Sequence, residues 1–263
     1  MLKKLSIVFL SFILICSLSC NSATTKQIKI NDILPRQSFL FVKKVLTVYR
    51  CVNNVCSSRD YQAYASAYVV DTDTEGALAV TAAHVCHNED KDYVEENDKM
   101  DVKYKMLRLD GTAFEAVVLN YNIEIDACIL FVKDLVGVEK VELSKKAPKP
   151  GDKVYNLAAP RAIFRPEVVP ILEGRFNGDS DGVAWYSLLA APGSSGSMIV
   201  NEKGELVGMV HSTFTSFPVM TLSVQYDDLK DFINSNIEKY NFMKFMKNVY
   251  KIKKFLNDLP IPY

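Results

Sequence analysis

Three residues suited to moving a proton off a hydroxyl nucleophile follow one another along the chain: His84, Asp126 and Ser195. His84 is one of only three histidines in 263 residues, and it ends Thr81-Ala82-Ala83-His84, directly behind an apolar run from Ala77 to Val80. A histidine works as a general base only when something orients its ring and a nucleophile lies within hydrogen-bond reach. The stretch Ala191-Pro192-Gly193-Ser194-Ser195-Gly196-Ser197-Met198-Ile199-Val200 is a tight Gly/Ser turn running into an apolar strand. Small residues at such a turn let backbone N–H groups face a substrate carbonyl, as an oxyanion hole requires.

The orienting group should be a carboxylate in apolar surroundings, because exposed carboxylates are screened and mobile. Asp126 stands out, in Ile125-Asp126-Ala127-Cys128-Ile129-Leu130-Phe131, whereas the other aspartates between His84 and Ser195 lie mostly in polar or turn-like stretches. An acid buried alone is costly, so this one needs a partner. Singly, each piece has a plain structural reading: a satisfied core histidine, a turn cap, an ordinary loop. The conjunction in one β-rich chain, in the order His, Asp, Ser, points instead to nucleophilic catalysis.

The elements that must position these residues are short β-type runs divided by Asp, Asn, Gly and Pro. The first series is VLTVYRC, AYASAYVV, ALAVTA, VKYKMLRL, AFEAVVLNY and ACILFV. The second is KVYNLAAP, VVPILEGRF, VAWYSLLA, SMIVN, ELVGMVHST and VMTLSVQY. Two groups of about six strands predict an all-β chain of paired antiparallel barrels or sandwiches. Pro148 and Pro150 in SKKAPKPGDK mark the joint between them. After Tyr226 the period changes, with Leu229, Phe232, Ile233, Ile237 and Tyr240 spaced by threes and fours behind Asp227 and Asp228, so the chain ends in helix.

Composition bounds the function. Hydrophobic residues make up 49% and charged residues 24%, an ordinary globular balance. Lys+Arg 31 against Asp+Glu 31 leaves no overall field to recruit nucleic acid. The first twenty residues, MLKKLSIVFLSFILICSLSC, place two lysines before an apolar run from Leu5 to Leu18 that is too short for a comfortable membrane span. They read as an export leader, and Ser17-Leu18-Ser19-Cys20 resembles a lipoprotein processing site, with Ser17 where such sites usually carry leucine. Lipid anchoring through Cys20 and plain secretion both stay open, so the chain is expected outside the cytoplasm: periplasmic, secreted or lipid-anchored. Cys51, Cys56, Cys86 and Cys128 remain, an even number that favours disulfides in an exported chain but allows three pairings. A zinc site ranks low, since Cys51 and Cys56 have no second pair at ligand spacing.

At these residues the chain resembles a trypsin-like serine protease of the chymotrypsin fold over roughly residues 40 to 240. Thr81-Ala82-Ala83-His84 resembles the family's T-A-A-H, Asp126-Ala127-Cys128-Ile129-Leu130 its D-x-A-L-L type strand, and Gly193-Ser194-Ser195-Gly196-Ser197 its G-x-S-G-[GS] turn. Gly204-Glu205-Leu206-Val207-Gly208-Met209 and the helix from Asp227 are similar to bacterial HtrA-like and glutamyl-endopeptidase-like members. The resemblance implies two six-stranded antiparallel β-barrels of the chymotrypsin type with a C-terminal helical tail. It divides the chain into a leader (1–20), a linker (21–39), a first barrel with His84 and Asp126 (40–144), a second barrel with Ser195 (145–226) and a helical segment (227–263).

The resemblance also implies roles. Ser195 attacks, His84 moves the proton, Asp126 fixes the ring tautomer, and the N–H groups of Gly193 and Ser195 hold the oxyanion, with no metal or cofactor and a polypeptide as substrate. Ser197 stands where many members have a second glycine, and Arg36 is followed by Gln37-Ser38-Phe39 rather than an activation sequence. The G-x-S-x-G elbow of α/β-hydrolases fits less well, because those enzymes place the histidine last. A protease-fold binding or adhesion module with little turnover is the alternative from another class.

Two further expectations rest on the resemblance, and a third on helical periodicity. If His84 and Asp126 touch, Cys86 should pair with Cys128, leaving Cys51 to pair with Cys56 around a small hairpin. Leu189, Ala190, Val210, His211 and Ser212 are the candidate pocket. No acid stands six residues before the nucleophile, so small or medium apolar residues are preferred. His211 lies one residue past the pocket histidine of glutamyl endopeptidases, so the simple register turns it toward Asp126, and a bulge would be needed to make glutamate the preference. Finally, Phe242, Phe245, Met246, Val249, Ile252 and Leu256 form an apolar stripe on the tail helix, with Lys244, Lys247, Lys251 and Lys254 mostly off it. The stripe is expected to dock on the protease body, with membrane binding as the alternative.

Overall fold

The computed structural model describes residues 30–53, 55–87, 98–214 and 216–257, without the side chains of residue 31 and of 251–257. The leader, Cys20 and the rest of the first 29 residues lie outside the described residues.

Twelve strands close into two six-stranded antiparallel barrels. The first contains β1 (Phe39–Val52), β2 (Val55–Thr72), β3 (Gly76–Ala82), β4 (Lys99–Leu107), β5 (Ala113–Asn122) and β6 (Ala127–Lys133) in the spatial order β1-β2-β3-β6-β5-β4. Alternate residues fill its interior: Leu40 and Val42 from β1, Ala65, Ala67 and Val69 from β2, Ala77 and Ala79 from β3, Leu130 and Val132 from β6. That period of two is what a pleated strand with one buried face demands, and the alanines suit the narrow lumen of a small barrel. The second barrel contains β7 (Lys153–Leu157), β8 (Ile171–Ser180), β9 (Val183–Ser187), β10 (Met198–Asn201), β11 (Leu206–Phe214) and β12 (Phe217–Val224), in the order β10-β11-β12-β9-β8-β7. Its core includes Val154, Phe176, Tyr186, Leu188, Ile199 and Val207.

Among the described residues, two α-helices accompany the barrels. One turn, α1 (Ala83–Cys86), follows β3 directly, and α2 (Tyr226–Asn257) ends the described chain with Asp227 and Asp228 in its first turn. Residues 33–38, ahead of β1, pack on the fold. Leu34 and Ser38 are buried, and the Ser38 hydroxyl donates to Pro35 O at 2.6 Å. The hairpin of β1 and β2 also runs farther than the apolar pattern indicated. Its outer arm is exposed, paired strand to strand up to Val52 opposite Val55, and clipped by a Cys51–Cys56 disulfide.

Candidate active site

His84 is positioned by β-pairing. β3 and β6 run side by side with Ala82 opposite Ala127, so the first turn after β3 meets the last turn before β6. Asp126 therefore sits in a turn at the head of the apolar strand rather than within it. Asn122 shapes that turn, its Oδ1 accepting the N–H of Glu124 at 2.9 Å and of Ile125 at 3.4 Å. Asp126 adopts a left-handed φ of 48°. An L-residue there costs roughly 1–2 kcal/mol, and Asp tolerates it better than most.

The strained turn is offset by three hydrogen bonds to one short helix. Asp126 O accepts the N–H of Ala83 at 3.0 Å, Oδ1 accepts the N–H of His84 at 2.9 Å, and Oδ2 lies 2.8 Å from His84 Nδ1. A carboxylate facing Nδ1 selects the tautomer protonated there, leaving Nε2 as the acceptor on a ring whose side chain is 50% exposed. A Cys86–Cys128 disulfide ties the far end of α1 to β6, and the Tyr104 hydroxyl donates to Cys86 O at 3.0 Å. Both disulfides are thus the pairs expected from the resemblance.

The second barrel brings a turn made by its backbone. Gly193 has a φ of 99°, and a Cβ there would stand 2.4 Å from Ala159 O. Gly196 has a φ of 78°, and a Cβ would stand 2.1 Å from Thr81 Oγ1 and 2.8 Å from Ala82 N. Glycine at 196 is what lets the turn carrying Ser195 lie against the end of β3, one residue before α1. Pro192 O accepts the N–H of Arg161 at 2.6 Å, which turns the Gly193 N–H the other way. Among the described residues, the N–H groups of Gly193 and Ser195 donate to no protein acceptor. The Ser195 hydroxyl and His84 Nε2 likewise make no hydrogen bond there, an opening compatible with a site in which such bonds tighten only around substrate.

With this geometry in place, the comparison with known sequences is direct: a sequence model of the trypsin-like peptidase domain matches residues 65–209, more than half of the chain. The chain belongs to the trypsin-like peptidase family. No curated protein gives a significant match. The matched stretch of this trypsin-like peptidase contains His84, Asp126 and Ser195 and stops short of His211. Two disulfides suit an oxidising compartment.

The pocket candidates of the peptidase separate. Leu189 is exposed, while Ala190 and Val210 are buried in the second barrel's core. His211 is the extra residue of a bulge in β11, between Val210 opposite Ser223 and Ser212 opposite Leu222. With the bulge in place, its Nδ1 lies 4.0 Å from Asp126 Oδ2. Burial pushes the His211 pKa below its ordinary value of 6.5, with Asp126 pulling it up and His84 pushing it down.

Two residues passed unnoticed in the sequence. Ser66, fully buried in β2, holds the seam between the barrels. Its N–H donates to Ser195 O at 2.9 Å, its hydroxyl donates to Gly193 O at 2.9 Å and accepts the N–H of Ala159 at 3.0 Å, and its carbonyl accepts the Thr81 hydroxyl at 2.8 Å. The only hint was a polar residue inside Ala65-Ser66-Ala67-Tyr68. Asn156 in β7 donates to Ser197 Oγ at 2.8 Å and to Met198 O at 2.7 Å, which gives the serine in place of the second glycine a buried partner.

Proposed function

We propose that this peptidase is an exported serine endopeptidase that cleaves peptide bonds through an acyl-enzyme on Ser195. Ser195 Oγ attacks the scissile carbonyl as its proton passes to His84 Nε2, and His84 then gives that proton to the leaving amine. A water repeats the sequence on the ester and frees the acid. Asp126 keeps the ring in the required tautomer and stabilises the imidazolium, and the N–H groups of Gly193 and Ser195 receive the oxyanion. The observation that carries the reading is the Asp126 clamp, one carboxylate holding both the backbone and the ring of His84 at the edge where the Ser195 turn packs.

The substrate is a polypeptide with a small or medium apolar residue before the scissile bond. Leu189 offers no charge to a basic side chain, and the His211 ring lies beside Asp126. Labelling with a fluorophosphonate probe tests the nucleophile: the wild-type chain should label and Ser195→Ala should not. A peptide library tests the preference. Dominant cleavage after Glu that collapses in His211→Ala would replace the apolar reading, and cleavage after Arg would remove both.

A further inference from the structure

Helix α2 changes its apolar side half-way along. In its early turns the side that meets the barrels carries Leu229, Phe232 and Ile233, with Asn236 accepting a hydrogen bond from Asn120 Nδ2 at 2.9 Å. Farther on, the same side carries Tyr240 and Lys244. The Tyr240 ring stacks on Phe131 at 5.6 Å and its hydroxyl donates to Asp73 at 3.2 Å, while Lys244 Nζ donates to Asp73 Oδ2 at 2.6 Å. Residues 229, 233, 236, 240 and 244 keep the spacing of one helix face.

The apolar residues of the later turns leave that face. Phe242, Phe245, Met246 and Val249 recur at three and four, roughly 170° round the cylinder from the docked side at 3.6 residues per turn. Phe242 is 63% exposed, Phe245 61% and Met246 47%. Phe242, Phe245 and Met246 of the tail stripe therefore do not pack on the protease body as expected, and the side chains of Ile252 and Leu256 lie outside the described residues. The helix is hooked on by an ion pair and a tyrosine, and it turns its large apolar side chains outward.

Charge decides what covers them. Between Glu238 and Asp258 the sequence has six lysines and no acid, in a chain whose charges balance as a whole. A second copy would set one lysine-rich helix against another. An anionic bilayer accepts both features together, apolar side chains at the acyl boundary and lysines at the headgroups. Among the described residues no helix is long and apolar enough to cross a membrane, so such a helix would lie along the surface.

We propose that the last turns of α2, from Phe242 onward, are a docking surface for an anionic lipid bilayer. The inference is independent of the catalytic reading. It is tested on the processed chain, residues 21–263, made without the leader so that no lipid on Cys20 contributes. Co-sedimentation with phosphatidylglycerol-rich vesicles is compared with pure phosphatidylcholine vesicles for wild type, F242S/F245S/M246S and K247Q/K251Q/K254Q, with thermal unfolding as the folding control. Wild type should prefer the anionic vesicles, with affinity falling at least tenfold in the first variant and roughly a hundredfold in the second at about 1 kcal/mol per lysine. Wild type left in the supernatant, or bound equally in all three forms, would overturn the proposal. So would a concentration-dependent dimer abolished by F242S/F245S/M246S without any vesicle binding, which would give the face to a second copy.

Discussion

In the first barrel the candidate site is held by side chains, with Asp126 clasping α1 through its carboxylate and Cys86 bonded to Cys128, whereas in the second it is held by backbone. There, Ser194 N–H donates to Ala191 O at 2.8 Å, Gly196 N–H to Val210 O at 2.7 Å and Ser197 N–H to Ser194 O at 2.9 Å. Side-chain clamps set chemistry and can be edited without moving the chain. A glycine turn sets shape, and editing it moves everything that rests on it. Ser66 belongs to both regimes, because a first-barrel residue uses main chain and hydroxyl together to hold the second barrel's turn.

The largest effects should separate chemistry from shape. Ser195→Ala is expected to lower kcat by about 10⁶, and Asp126→Asn by about 10⁴ through the wrong ring tautomer, with wild-type unfolding temperatures in the first. Full activity in Ser195→Ala would remove the mechanism, and retention in Asp126→Asn would remove only the orienting role. Gly196→Ala should act the other way. A methyl 2.1 Å from Thr81 Oγ1 and 2.4 Å from Ser66 O, on a left-handed residue, is expected to cost more than about 4 kcal/mol of stability and to lose activity with the fold. A stable, active Gly196→Ala protein would mean the seam is not set by this turn.

The disulfides sharpen the same contrast at smaller scale. Cys86 and Cys128 close a loop of sequence separation 42, and Cys51 and Cys56 one of 5. Chain entropy gives roughly 4 kcal/mol for the first and roughly 2 for the second. Denaturant unfolding of C86S/C128S and C51S/C56S should show that order, and only the former should also slow peptide cleavage, because only it ties α1 down. Equal effects on cleavage would dissolve the link between the bridge and the site.

Much of this arrangement was legible in the sequence because its signals are local. The strands announced themselves by alternation, and the residues that meet across the seam sit in short motifs at strand ends. Illegible features depended on a partner. The outer half of β2, with Ser57-Ser58-Arg59-Asp60, has no apolar pattern and is a strand only because β1 pairs with it. Ser66 gains its meaning from a turn 127 residues away. The tail helix showed its stripe plainly, but which side would dock depended on Asp73, far off in sequence. The bulge at His211 shifts the pairing register without leaving any mark in composition.

His211 gives the finest test, because it joins the two regimes: a second-barrel side chain facing the first barrel's carboxylate. Its folded pKa is pushed below 6.5 chiefly by burial, so the folded protein binds this proton less readily than the unfolded chain does. Stability from this source is then fully present above about 6.5 and is lost as pH falls through the lowered folded value. Asp73, whose pKa lies below 3.8 because its bonds to Lys244, Glu75 and Gly76 outweigh burial, gives a loss of the same sign but only in the carboxylate range. The two windows do not overlap at their upper edges. Thermal unfolding of wild type should therefore decline between pH 7 and 5, and His211→Ser should flatten that decline while keeping the fall at lower pH. An unchanged slope in His211→Ser would show that the histidine beside Asp126 is not held neutral by burial, and that the carboxylate shares its charge between two rings rather than reserving it for His84.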